Sequence, residues 1–326
     1  MTTNNKYFLT IDDSNSLKGI LILLVILGHI SNIISKEWHY LLYSFHVASF
    51  LIIPFLFQSN TLSLKEVKKI FKRYYIPYLV FFIIAFISYN LFYSNQNLSL
   101  IDVVISFFIG NATYLKETIG ISALWFFPTL IAMLLLIMIN NSLKKYRKFI
   151  FLIFIILHFT ITSLSVDILS NIPFSIYICL YLFFLGLIIK YIYINNFFGN
   201  INPLYIISFF LILLWYIYGT KYDMAYPILP NFFTEPIQFL AHDLVIIFAF
   251  FSLILVAKKI HYFQLFGIYS LALYTIHPFV LQFLYLLEKK TFNIPKLLIF
   301  FLVVSISFFV VKIIYYFKLN KYIYPR

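Results

Sequence analysis

The chain has little charge, little cysteine and little glycine. Only 11% of its 326 residues are charged, and only 11 are Asp or Glu, against about a quarter charged in an ordinary soluble domain. A soluble globular fold is thereby excluded. Cys179 is the sole cysteine, which rules out an intrachain disulfide and a cysteine metal cluster; in its apolar run it reads as a small packed thiol. The eight glycines form no phosphate-cradling loop. No His-x-x-x-His or Glu-x-x-His pair occurs, so no metal is expected. A cleaved signal peptide is not expected either: Asp12 and Asp13 precede the first apolar run, and no small-x-small pattern follows it.

What the chain does have is apolar length. It is 63% hydrophobic and 22% aromatic, with a mean hydropathy of +0.96, the balance of a polytopic helical membrane protein. The formal charge of +13 suggests nucleic acid at first sight. The basic residues, however, are short clusters punctuating apolar runs, which is the positive-inside pattern. Abundant Lys, Asn, Ile, Phe and Tyr with scarce Arg point to an AT-rich bacterial genome, and so to a bacterial cytoplasmic membrane.

Ten spans are expected, at about 17–35, 38–58, 74–94, 121–140, 149–166, 172–194, 203–219, 238–257, 265–287 and 297–317. Lys36-Glu37 reads as a turn, and Leu64, Val67, Ile70 and Phe71 as one face of an interfacial helix leading to the third span. Pro77 then falls near the start of that span, where proline is tolerated. Lys65 to Arg73, Lys144 to Lys148 and Lys318 onward mark the cytoplasmic side. Both termini are then cytoplasmic, and residues 95–120 and 220–237, with Lys221, Asp223 and Glu235, face out. Lys289, Lys290 and Lys296 break the charge rule outside, with Glu288 a partial offset. No internal repeat or linker is visible, so residues 1–326 read as one domain.

Within this all-α frame the polar residues separate by depth. Lys18 sits at the leading edge of the first span, and His29, eleven residues on, lies roughly 16 Å deeper. An ionisable residue there is a functional candidate; the alternative is a neutral imidazole bonded to a neighbouring helix. Gly28 beside it permits close approach of another group. His277, twelve residues into the ninth span, comes roughly 18 Å from the inner face, and His46 roughly 12 Å from the outer one. Trp125 and the His242-Asp243 pair lie near outer ends and could border a polar cavity open to the outside. Trp125 reads equally as a belt residue, and His242-Asp243 as a helix cap. His158, with no acid near it in sequence, reads as structural. Lys18, Lys69, Lys72 and Arg73 gather at the inner face, suited either to phosphates or to plain anchoring.

Five motifs then occur in order. They are Asp13 to Gly19 with Gly28-His29, Phe45-His46, Lys72-Arg73-Tyr74-Tyr75-Ile76-Pro77, Leu124-Trp125-Phe126, and Ser270 through Tyr274 to His277-Pro278. In these the chain resembles the membrane-bound acyltransferase 3 family, particularly smaller members related to fucose O-acetylases. It departs from the family pattern at Val47-Ala48-Ser49-Phe50, where Met-Pro-Leu-Phe is usual, at Lys18, where many members have Arg, and in a reduced paired-arginine motif. The resemblance implies transfer of an acyl group, usually acetyl from cytoplasmic acetyl-CoA, to a hydroxyl of an extracytoplasmic glycan or lipid-linked saccharide. Lys18 and Arg73, assisted by Lys69 and Lys72, would bind the CoA phosphates, and His29 would be the general base. His46, Trp125, Tyr274 and His277 would shape the acceptor side. A sugar or lipid exporter is the alternative, though the paired Gly/Pro-broken helices common in transporters are not seen.

Overall fold

The computed structural model of the protein describes residues 8–30, 33, 36–92, 99–164, 172–219, 236–290 and 294–325. Among these, every regular element is helical. Six helices are long and apolar enough to cross a membrane: Leu64–Leu91, Ser122–Ser142, Pro173–Ile194, Pro236–Lys259, Ser270–Lys289 and Lys296–Tyr316. The last of these bares Leu297, Phe301 and Phe309, a surface suited to lipid. The chain is a multi-pass membrane protein. The outer segment expected at 220–237 falls outside the described residues up to 235, as do Lys221, Asp223 and Glu235.

The first helix, α1 (Ile11–His29), begins six residues before the expected apolar start. Thr10 and Asp13 close a capping box: the Thr10 Oγ1 accepts from the Asp13 amide at 3.1 Å, and the Thr10 amide donates to Asp13 Oδ2 at 3.0 Å. Two orphan donors are thus satisfied, so polar residues open the helix, a signal invisible to hydropathy. The helix also ends earlier than expected, with Ile30 extended (φ −87, ψ 108). His29 therefore closes α1 instead of sitting inside a span. Asp12, Asp13 and Lys18 in the first turns leave α1 outside the six candidate crossings.

The second expected span is two helices, α2 (Lys36–Tyr43) and α3 (His46–Phe57). Lys36-Glu37 opens α2 and is not a turn. Ser44 Oγ donates to the Leu41 carbonyl at 2.6 Å, drawing off an acceptor of the helix ladder just where it breaks. The third span is one continuous helix: α4 (Leu64–Ile70) passes through a π-helical turn, Phe71–Tyr75, into α5 (Ile76–Phe92). Pro77 lies well inside this run. It has no N–H for the Arg73 carbonyl four residues back and its ring crowds that position; the wider π turn accommodates it. The segment 95–120, expected to face out, carries α6 (Leu100–Ile109) and α7 (Ala112–Ile119), capped by Ser99 and Asn111 and each ended by a left-handed glycine.

Next come a 3₁₀ turn at Ser122–Trp125, α8 (Phe126–Ser142), α9 (Arg147–Ile161), α10 (Ile176–Ile194) and α11 (Pro203–Gly219). Then follow α12 (Pro236–Lys259), α13 (Gln264–Ile268), α14 (Ser270–Lys290), α15 (Lys296–Tyr316) and α16 (Asn320–Ile323). His242 and Asp243 lie two turns into α12, so they do not cap it.

The half-polar α1 is the centre of the packing. Leu17, Leu21, Ile22, Val25 and Ile26 are buried against α3, α12, α13 and α14. A Cβ at Gly19 would collide with the Phe263 carbonyl, and one at Gly267 with the Asn15 carbonyl. Two glycines thus let α1 and the 261–268 segment touch backbone to backbone. A smaller cluster of Leu41, Leu42, Phe45, Leu213, Ile217, Val245 and Ala249 seats α2 against α11 and α12, fixing the turn that precedes His46.

Candidate active site

Two helix ends and the body of a third helix bring three histidines together: His29 closes α1, His46 opens α3, and His277 lies two turns into α14. The His29 and His277 rings are 5.1 Å apart, edge to face. Tyr43 joins the other side, 6.3 Å from His29 and 4.8 Å from His46, with His39 a further 4.5 Å from Tyr43. Gly28 has the function its position suggested: the Tyr43 ring lies where a Cβ would come within 2.9 Å of it.

The three imidazoles share one tautomer. In each, Nδ1 faces the carbonyl four residues back: Val25 at 2.8 Å, Leu42 at 2.5 Å, Leu273 at 3.0 Å. A carbonyl only accepts, so Nδ1 carries the proton and Nε2 holds the lone pair. His46 and His277 are fully buried, and their Nε2 atoms have no protein partner among the described residues. Such orphaned buried atoms cost about 1–3 kcal/mol each, which a merely structural cluster would avoid. His29 is the half-buried one of the three.

Below this cluster lies a cavity of about 910 Å³. Ser14, Asn15, Lys18, Gln58, Arg73 and Tyr74 line one end, and Phe50, Phe126 and Tyr274 line the end toward the histidines. The order follows from the contacts. Lys18 is close enough to feel the Arg73 charge, whereas the Tyr274 ring is 4.6 Å from Phe126 and 5.7 Å from His277. The π turn puts Arg73 and Tyr74 on the cavity, with the guanidinium 5.4 Å over the Tyr74 ring. Neither Lys18 nor Arg73 has an acidic partner among the described residues; the polar contact of Lys18 is Asn15 Oδ1 at 3.5 Å. The N-terminal stretch borders the mouth, held by the Leu9 amide donating to the Tyr193 hydroxyl at 2.9 Å.

A family model described as an acyltransferase domain matches residues 11–316. The chain belongs to the acyltransferase 3 family. No curated protein and no solved structure matches it.

In this acyltransferase-family chain the expected site residues separate. His29, His46 and His277 come together, and Lys18 and Arg73 share the cavity. Lys69 and Lys72 do not line it: both are exposed, and Lys69 lies 4.0 Å from Glu66. Tyr274 is at the cavity end, its hydroxyl donating to the Ala123 carbonyl at 2.8 Å. Trp125, in the same 3₁₀ turn, is half-buried with its ring 6.4 Å from Phe126.

The His242-Asp243 pair does not line this cavity. Asp243 accepts from the Tyr181 hydroxyl at 2.6 Å and lies 2.9 Å from His158 Nε2. Tyr181 in turn meets His242 Nδ1 at 3.0 Å, and its carbonyl accepts from His158 Nδ1 at 2.9 Å. Sequence reading missed both this tie and Tyr43. The partner of His158 is 85 residues away, beyond any local pattern, while Tyr43 was signalled only by its place three residues before His46.

Proposed function

We propose that this chain transfers an acyl group, most simply acetyl, from cytoplasmic acyl-CoA to a hydroxyl of an extracytoplasmic glycan or lipid-linked saccharide. The observation that carries this reading is the cavity running from two unpaired cations, Lys18 and Arg73, to an aromatic end one ring away from the His277–His29 pair. Acyl-CoA supplies an acyl carbon on a thiol leaving group: its C–S bond breaks as the ester C–O bond forms, and the hydroxyl proton ends on the released thiol. Lys18 and Arg73 hold phosphate through charge-assisted bonds, Arg73 through its planar fork. His29 takes the hydroxyl proton on Nε2 during attack, its Nδ1 bond to Val25 holding the ring and tautomer. His277 and Tyr43 flank the ring and limit its rotation.

The same reading has ten crossings in one domain, both termini cytoplasmic, in a bacterial cytoplasmic membrane, with lipid and the saccharide as partners and no nucleic acid. Reporter fusions at Asn60 and Asn111 then land on opposite sides; a same-side result removes the inner-donor, outer-acceptor scheme. The decisive test compares the surface glycan made with wild-type protein and with His29→Gln. Each acetyl lost lowers the repeat mass by about 42 Da. An unchanged mass overturns the reading, and loss of the exported glycan itself favours an exporter.

A further inference from the structure

We infer that Phe126 and Tyr274 form the partition that sets which acyl groups this protein accepts, limiting it to short, uncharged chains; this rests on the acyl-CoA reading above. Leu134, Leu130 and Phe126 line the cavity at four-residue spacing, so the cavity follows one face of α8 for two turns, roughly 12 Å. Its lining includes Phe126 and Tyr274, whose rings are 4.6 Å apart, and does not include His277 or His29. Phe50 closes the same corner, its ring 5.6 Å from Phe126. Tyr274 is 4% exposed and doubly held: its hydroxyl donates to the Ala123 carbonyl, and the Phe127 ring lies 5.9 Å from its own. Behind it stand His277 and then His29.

With phosphate held at Lys18 and Arg73, the long arm of the donor carries the thioester carbon to the cavity side of this partition, with His277 and His29 beyond it. Any tail beyond that carbon meets the corner of Phe50, Phe126 and Tyr274. Two consequences follow from its chemistry. A long tail has no room, because a packed aromatic corner does not yield volume without strain. A tail ending in a carboxylate has no cation to meet, since the cavity's cations, Lys18 and Arg73, are at the other end and an unpaired buried charge is expensive.

The test is binding of free CoA, acetyl-CoA, octanoyl-CoA and succinyl-CoA to purified full-length protein, by direct titration and by thermal shift. Wild type should bind acetyl-CoA at least tenfold more tightly than octanoyl-CoA or succinyl-CoA. Phe126→Ala should narrow the octanoyl gap at least tenfold without narrowing the succinyl gap, and the milder Phe126→Leu should fall between. The melting temperature of each unliganded variant reports whether it is folded. The inference is overturned if octanoyl-CoA and acetyl-CoA bind wild type alike, or if the gap is the same in Phe126→Leu and Phe126→Ala as in wild type while free CoA still binds. If neither free CoA nor any acyl-CoA binds wild type, the donor reading itself is wrong and the partition falls with it.

Discussion

Two buried histidine clusters can be set side by side, and their polar atoms differ. In the α9–α10–α12 cluster every polar atom of the central pair is used: both Asp243 oxygens and both His158 nitrogens have protein partners. The His158 and Tyr181 rings stack at 4.6 Å and 6°. In the α1–α3–α14 cluster each imidazole spends one nitrogen on the carbonyl four residues back, and in His46 and His277 the other has no protein partner among the described residues. A saturated network fixes helices in place; an unsaturated one leaves lone pairs for a ligand. On the acyl-transfer reading proposed above, the first cluster is architectural and the second carries the chemistry.

The largest effect that can sharpen this contrast is at His29. His29→Gln keeps hydrogen bonding but cannot take a proton, so transfer should fall by about 10²–10⁴ with the melting temperature within a few degrees of wild type. Near wild-type transfer by this variant ends the general-base assignment, and His277 or His46 is then tested in the same way.

Asp243→Ala should do the opposite. Removing one partner of a buried pair costs about 3–5 kcal/mol, so folded yield and melting temperature should drop while turnover per folded molecule holds within about threefold. A variant that melts like wild type but has lost turnover would break the division between the two clusters. Asp243→Asn, which keeps an acceptor for Tyr181, should recover part of the stability.

Smaller effects are expected at the cavity mouth. Lys18→Ala and Arg73→Ala should each weaken acyl-CoA binding by roughly 1–3 kcal/mol with melting unchanged, and Arg73→Lys should be partly defective. Lys69→Ala and Lys72→Ala, exposed and off the cavity, should stay within about 0.5 kcal/mol of wild type. A loss at Lys69 or Lys72 equal to that at Lys18 means the phosphates sit outside the cavity seen here. The smallest effect is at Gly28→Ala, which presses on the Tyr43 ring and should lower turnover a few-fold through the His29 pocket.

Hydropathy and charge alone determined that this is an all-helical, multi-pass membrane protein, because apolar length and loop charge are local properties. The expected seventh span at 203–219 matches α11 residue for residue. Ordered local motifs likewise determined the family and drew attention to His29, His46 and His277. Local pattern missed the capping box that starts α1 at Ile11, the break at Ser44–Phe45 and the π turn at Phe71–Tyr75. These depend on particular side chains competing for backbone groups, which averaging over a window erases. Only tertiary structure decided which polar residues meet. Lys18 and Arg73 are 55 positions apart, yet both line one cavity; His29 and His277 are 248 apart, yet they meet where glycines at 19 and 267 let α1 touch the 261–268 segment that leads into α14. The packing also set Asp243 against His158. A buried carboxylate must be paired wherever the fold supplies a partner, and the sequence carries no local mark of that choice.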